Sequence, residues 1–277
     1  MTSLLSSERL DRTTILSLID RARAFKNGAK ASFPDKIVGL LFMENSSRTR
    51  VSFEMAAIRL GANPVFLGPE GSSIQKGETE ADSARMLDCL RVDAIVVRTG
   101  TEGGPAEIAS KVKAPVINAG EGKSDHPTQG LLDAMTLLDH FGSLDGKTVA
   151  ICGDVERSRV ASSNQHILKT LGAIVRLVGP GTEYKDLKTG LKDADAVMCL
   201  RVQKEREGAS YDYAPYKIDH DSIKFANANA PVLHPLPMNR GVEISSELAD
   251  DETRSLLWKQ MENGLFIRMA VLERAFS

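Results

Sequence analysis

An alternation constrains this chain more than any other feature. Short apolar runs of strand length recur along it, and each is followed by a longer stretch with helical spacing. Asp11 is placed to cap a first helix, with Ile15, Leu18, Ile19 and Ala22 on one face and Gly28 as its stop. Strands are then predicted over 37–42, 64–66, 94–97 and 115–117, with helices over 50–60, 80–90 and 105–110 between them. A long helix over 127–140 opens on Pro127, a first-turn proline. A second series follows, with strands over 148–152, 174–178, 196–199 and 231–234 and helices over 158–171 and 184–191. The last helix, 256–276, carries Asn263 and Gly264, where a break is expected. Such alternation predicts an α/β protein of two domains, each a parallel sheet flanked by helices, joined by long helices. The polar stretch 142–146 marks the start of the second series.

Charge and cysteines narrow the function classes. Lys and Arg total 35 and Asp and Glu 37, so the chain lacks the basic excess of a general nucleic-acid or membrane binder. No apolar run approaches the roughly 18 residues of a membrane span. The opening MTSLLSSERLDR has neither a basic nor a long apolar segment, so no secretory signal is expected and a cytoplasmic location is. Cys89, Cys152 and Cys199 are widely spaced in apolar surroundings, which predicts buried free thiols rather than disulfides or a zinc site. The five histidines show no metal-ligand spacing, so no metal site is read from them.

In open α/β sheets, ligands bind beyond the carboxyl ends of the strands. Polar clusters stand at six such places: SSRTR at 46–50, Arg98-Thr99, Asp125–Gln129, GDVERSR at 153–159, Arg201–Gln203, and HPLP at 234–237. The first joins a strand to a helix, where free N–H groups and the helix dipole favour an anion. Ser46, Ser47 and Thr49 add hydroxyl donors there, and Arg48 a planar fork. A plain helix cap followed by two solvated arginines is the alternative. Arg48, Arg98, Arg159 and Arg201 together suggest a ligand with several negative charges. GDVERSR lacks the GxGxxG pattern of a dinucleotide site.

SSRTR with VSFE, HPTQ, RVQKER and HPLP, in that order, resemble the aspartate/ornithine carbamoyltransferase family, over a span from about residue 40 to the last helix. RVQ and HPLP are similar to the aspartate branch, because ornithine members usually carry HCLP and an SMG-type motif. Ser47 departs from the commoner threonine, and Thr99 from a histidine found in many members. The resemblance implies transfer of a carbamoyl group from carbamoyl phosphate to the α-amine of L-aspartate in pyrimidine biosynthesis, with no cofactor and no metal. A transcarbamoylase for another amino acid and a non-catalytic scaffold homologue are the competing readings. It also implies a carbamoyl phosphate-binding domain over 1–134, with a C-terminal helix of about 261–277 packing back on it, and an aspartate-binding domain over 135–260.

The same resemblance assigns residues. Ser46, Ser47, Arg48, Thr49 and Arg98 would seat the phosphate. Thr49, Arg98 and His126 would polarise the carbonyl oxygen, making Arg48, Thr49, Arg98 and His126 the catalytic set. Gln129 and the carbonyls of Leu236 and Pro237 would take the carbamoyl amide, the prolines being expected to hold that segment extended. Arg159 would take the α-carboxylate of aspartate, and Arg201 with Gln203 its side-chain carboxylate. Ser72 and Lys76 would reach into the site of an adjacent subunit in a homotrimer, with Lys76 also binding aspartate. A regulatory chain or a dihydroorotase is a possible further partner, whereas nucleic acid and membrane are not expected.

Overall fold

The structure, a computed structural model, describes residues 2–69, 77–203 and 212–277. The chain divides into two compact units, Met1–Leu132 with Asn263–Ser277, and Asp133–Glu262. Both boundaries fall inside long helices, α5 (Pro127–Phe141) and α9 (Leu257–Phe276). Among the described residues no helix is long and apolar enough to cross a membrane.

The first unit begins with α1 (Arg12–Lys26), where the Asp11 carboxylate accepts the Thr14 N–H at 2.8 Å and Ile15, Leu18, Ile19, Ala22 and Phe25 are buried. Its sheet is built from β1 (Ile37–Phe42), β2 (Asn63–Leu67), β3 (Ala94–Thr99) and β4 (Val116–Glu121), all parallel, in the order β2-β1-β3-β4. The connections are α2 (Ser47–Arg59), α3 (Glu80–Cys89) and α4 (Gly104–Ala109). The central strands β1 and β3 are almost wholly buried, as expected of strands covered on both faces. Edge strand β2 leaves Val65 and Phe66 exposed, and Val51, Met55 and Ile58 form an exposed stripe on α2.

In the second unit, β5 (Thr148–Cys152), β6 (Ile174–Val178), β7 (Ala196–Cys199) and β8 (Val232–Leu233) form another parallel sheet, in the order β6-β5-β7-β8. Its helices are α6 (Arg159–Thr170), α7 (Leu187–Gly190) and α8 (Ser246–Ala249). Two four-stranded parallel sheets flanked by helices are the α/β architecture that the alternation predicts. The register aligns Leu41 with Val97 in the first sheet and Cys152 with Cys199 in the second.

Several local expectations are corrected. Helix α2 starts at Ser47, so Ser47, Arg48 and Thr49 form its first turn instead of preceding it. Helix α9 runs unbroken through Asn263 and Gly264. Asn263 is held by Lys26 Nζ at 2.8 Å, and a Cβ on Gly264 would lie 2.5 Å from the Arg268 guanidinium and 3.1 Å from Leu132, so this glycine serves close packing. Helix α7 is a single turn because Thr182 and Tyr184 fold back on Gly179, and Asp186 caps what remains. Cys89 is exposed, because it ends α3 on the outward side with Met86 and Leu90. Cys152 and Cys199 are buried, and burial pushes both thiols far above their ordinary range.

Candidate active site

In the first sheet the chain order reverses between β1 and β3, the place where an open α/β sheet opens a crevice. Phe42 is aligned with Arg98 there, and the Met43 N–H donates to the Arg98 carbonyl at 2.8 Å. That pairing brings the segment after β1 and the end of β3 together. Ser46 is the N-cap of α2, yet its side chain makes no capping bond. The hydroxyls of Ser158 and Ser245 and the Asp11 and Asp186 carboxylates do cap their helices. The α2 N-terminus thus keeps backbone donors unclaimed by its own cap, which suits an anion. Ser47 and Arg48 are exposed on its first turn, and Thr49 is buried.

The Arg98 side chain is held on two sides. Its Nε donates to Glu44 at 3.0 Å, and one terminal nitrogen donates to the Ala119 carbonyl at 2.9 Å. Glu44 fixes the guanidinium at the strand end while partly neutralising it, and an incoming anion would compete for the same charge. Thr99, fully buried, donates to Glu80 at the start of α3 at 2.9 Å. His126 and Gln129 are buried at the start of α5. Asp125, just before them, accepts both the N–H and the hydroxyl of Ser7, at 2.7 and 2.8 Å. Burial raises the Glu121 carboxyl above its ordinary range, with Asp125 adding to the shift against hydrogen bonds from Gly103 and Asn118.

In the second sheet the order reverses between β5 and β7. Gly153 leaves β5 with φ +114°, and the Gly179 backbone approaches so closely that a Cβ there would lie 2.3 Å from the Gly153 carbonyl. The turn that follows is organised by Asp154. Its carboxylate, buried, pairs with Arg157 at 2.7 Å, accepts the Tyr213 hydroxyl at 3.1 Å and accepts the Gln203 N–H at 3.1 Å. The hydrogen bond that Arg157 donates to Asp154 raises its guanidinium further, and burial, then the charge of Asp154, pushes the Tyr213 phenol up. The Gln203 amide donates to the Arg157 carbonyl at 2.8 Å. Arg159 opens α6 and is buried, and Arg201 is half-buried. Gln203 is therefore tied to the turn after β5, while Arg159 follows that turn and Arg201 follows β7, the strand paired with β5. The link of Asp154 to Gln203 and Tyr213 was not legible in the sequence, because these two partners lie 49 and 59 residues away.

The HPLP segment is not extended. Leu236 has φ +53°, and the Leu236–Pro237 bond is cis. The reason lies in His234, whose Nδ1 accepts the Leu236 N–H at 2.9 Å and whose Nε2 faces Glu243 at 3.1 Å. That pattern needs a neutral ring with its proton on Nε2. Glu243 also accepts the Asn239 N–H. Burial works against the Glu243 charge, but the bonds from His234 and Asn239 outweigh it and hold the carboxyl below its ordinary range. Ser72 and Lys76, and the charged residues Lys204 and Arg206, lie outside the described residues.

The two parallel sheets thus each carry a strand end suited to an anion. A family model described as aspartate/ornithine carbamoyltransferase, carbamoyl-P binding domain, matches residues 2–139. A second, described as the Asp/Orn binding domain of the same family, matches 181–275. The chain belongs to the aspartate/ornithine carbamoyltransferase family. It is 43% identical to the aspartate carbamoyltransferase catalytic subunit of Rhodospirillum centenum, over 98% of this chain and 92% of that protein. It is 45% identical to the subunit of the same name from Caulobacter vibrioides, over 97% and 88%. Among solved structures it resembles aspartate transcarbamoylase from Trypanosoma cruzi in complex with N-(phosphonacetyl)-L-aspartic acid, at a TM-score of 0.83 and 32% identity over 98% and 94% of the chains. Ornithine carbamoyltransferase from Thermus thermophilus is similar in fold, with a TM-score of 0.89 and 27% identity over 99% of each chain.

Proposed function

We propose that this chain is an enzyme that transfers the carbamoyl group of carbamoyl phosphate to the α-amine of L-aspartate, giving N-carbamoyl-L-aspartate and phosphate. The observation that carries the reading is the cationic β5/β7 strand end: Arg159 and Arg201 suit a dicarboxylate, whereas the second amine of ornithine would call for acidic partners. Relatives at 43–46% identity that are named aspartate carbamoyltransferase support it. So do the Trypanosoma cruzi structures, one of which holds carbamoyl phosphate and aspartate.

The amine nitrogen attacks the carbamoyl carbon, the bond to the phosphate oxygen breaks, and the amine proton leaves with phosphate. Charge grows on the carbonyl oxygen and then on the leaving phosphate. Thr49, Arg98 and His126 meet the first; Ser46, Ser47, Arg48, Thr49 and Arg98 meet the second, at the α2 N-terminus. A neutral His126 at the positive end of α5 suits donation to the oxygen. Gln129 and the carbonyls of Leu236 and Pro237 take the carbamoyl amide. Arg159 takes the α-carboxylate, and Arg201 with Gln203 the other.

The working form is a homotrimer in which Ser72 and Lys76 of one copy complete the site of the next. The exposed stripe Val51, Met55 and Ile58, with Val65 and Phe66 of the edge strand, supports burial against another copy. We place the reaction in cytoplasmic pyrimidine biosynthesis. Incubating the purified chain with carbamoyl phosphate and either aspartate or ornithine tests the reading. Carbamoylaspartate is expected, and product from ornithine alone would overturn it.

A further inference from the structure

A chain of buried polar groups crosses the second unit. Asp133, on α5, is fully buried. Its Oδ2 accepts Asn164 Nδ2 of α6 at 2.8 Å, and its Oδ1 accepts Gln260 Nε2 of α9 at 2.7 Å. The Gln260 carbonyl oxygen then accepts the backbone N–H of His234 at 2.9 Å. Gln260 and His234 are themselves 2% and 1% exposed, so these bonds are shielded from water. The polarity runs one way. Gln260 donates to a carboxylate and accepts from an N–H, so turning its amide over would set oxygen against Asp133 and NH₂ against His234.

A carboxylate in a helix core is a poor device for stability alone, because apolar side chains of similar volume serve as well or better. What this one touches suggests its use. The bond to His234 lands at the first residue of HPLP, where Leu236 is held at φ +53°, a conformation that persists in a non-glycine residue only when its surroundings over-determine it. The His234 ring and Glu243 hold the turn from one side. Gln260, backed by Asp133, holds its entry.

We propose that Asp133 and Gln260 are positioning residues for the carbamoyl amide: they orient the Leu236 and Pro237 carbonyls through the His234 backbone. The proposal rests on the functional reading above. It separates two affinities, because the phosphate seat belongs to the first unit and should not respond.

The test compares binding of phosphonoacetamide, which carries both the amide and the phosphonate, with binding of inorganic phosphate, by calorimetry on the full chain. The parent should prefer phosphonoacetamide. Gln260→Glu sets two carboxylates face to face, and the preference should fall about tenfold, the order of one or two lost hydrogen bonds, with phosphate affinity unchanged. Adding Asp133→Asn restores the polarity. The introduced amide donates its N–H to the introduced carboxylate, that carboxylate still accepts from the His234 N–H, and the amide oxygen still accepts from Asn164. The double variant should regain the parent preference. If Gln260→Glu does not fold, Gln260→Met, close in shape and lacking both bonds, should show the same selective fall. A parent-like preference in either single variant overturns the positioning role, as does an equal loss of both ligands or a folded double variant without recovery. A parent with no preference overturns both the positioning role and the reading of Leu236 and Pro237.

Discussion

Arg48 stands on the first turn of a helix whose cap leaves backbone donors unclaimed, and its charge matters most as the bond to phosphate breaks. Arg48→Ala should lower turnover by about 10²–10³-fold, the order for loss of one preorganised charge stabiliser, with less effect on aspartate KM. Steady-state kinetics with each substrate varied in turn check this. Glu243 gives a prediction in pH. Its carboxyl lies below the ordinary range, so it contributes stability that is complete above the unfolded carboxylate pKa, about 4.3, and is lost as pH falls through the lower folded value. Acid unfolding followed by circular dichroism should therefore be shallower in Glu243→Gln, which is less stable at neutral pH but has no proton to gain. The SSRTR and HPTQ stretches could be placed from the sequence, because each follows an apolar run and opens a helix. The pairings of Glu44 with Arg98 and of Asp154 with Arg157 were not legible, since a carboxylate after a strand reads as a solvated turn until its partner is seen.

The strands were the most legible elements: β1, β5 and β7 match the predicted spans because buried parallel strands are continuous apolar runs bounded by turn residues, and the half-buried edge strand β6 matches as well. What periodicity missed were choices made by tertiary contact. Gly264 reads as a helix breaker, yet it lies inside α9 because Arg268 and Leu132 occupy the space a side chain would need. Arg268 is buried and stacks over Phe53 at 5.4 Å, so it has little freedom to retreat. Gly264→Ala should gain ~1 kcal/mol in helix propensity and lose ~1–3 kcal/mol to overpacking. The net result expected is a lower melting temperature, measurable by calorimetry, where propensity alone predicts a higher one. HPLP shows the same limit: two prolines suggested extended backbone, and the His234 ring, bonding the N–H of Leu236, turns it instead.

At the scale of the whole molecule, the α/β architecture was legible from the alternation alone. Assembly was not, because the sequence around Ser72 and Lys76 is polar and glycine-flanked and carries no packing pattern. If Lys76 acts on a neighbouring site, defects in two chains complement. Lys76→Ala and Arg48→Ala proteins, each nearly inactive, should recover activity well above either parent when dissociated, mixed and reassembled, since some sites then join an intact loop to an intact phosphate seat. Mixed trimers as inactive as their parents would remove Lys76 from the neighbouring site. The central claim is that one chain's chemistry accepts both a phosphate and an aspartate. Titrating the protein with N-(phosphonacetyl)-L-aspartic acid in a calorimeter tests it most directly, because that ligand joins the two and has already met the entropy of bringing them together. Binding at least about 10²-fold tighter than that of phosphate or aspartate alone is expected. Affinity no better than that of phosphate would contradict it.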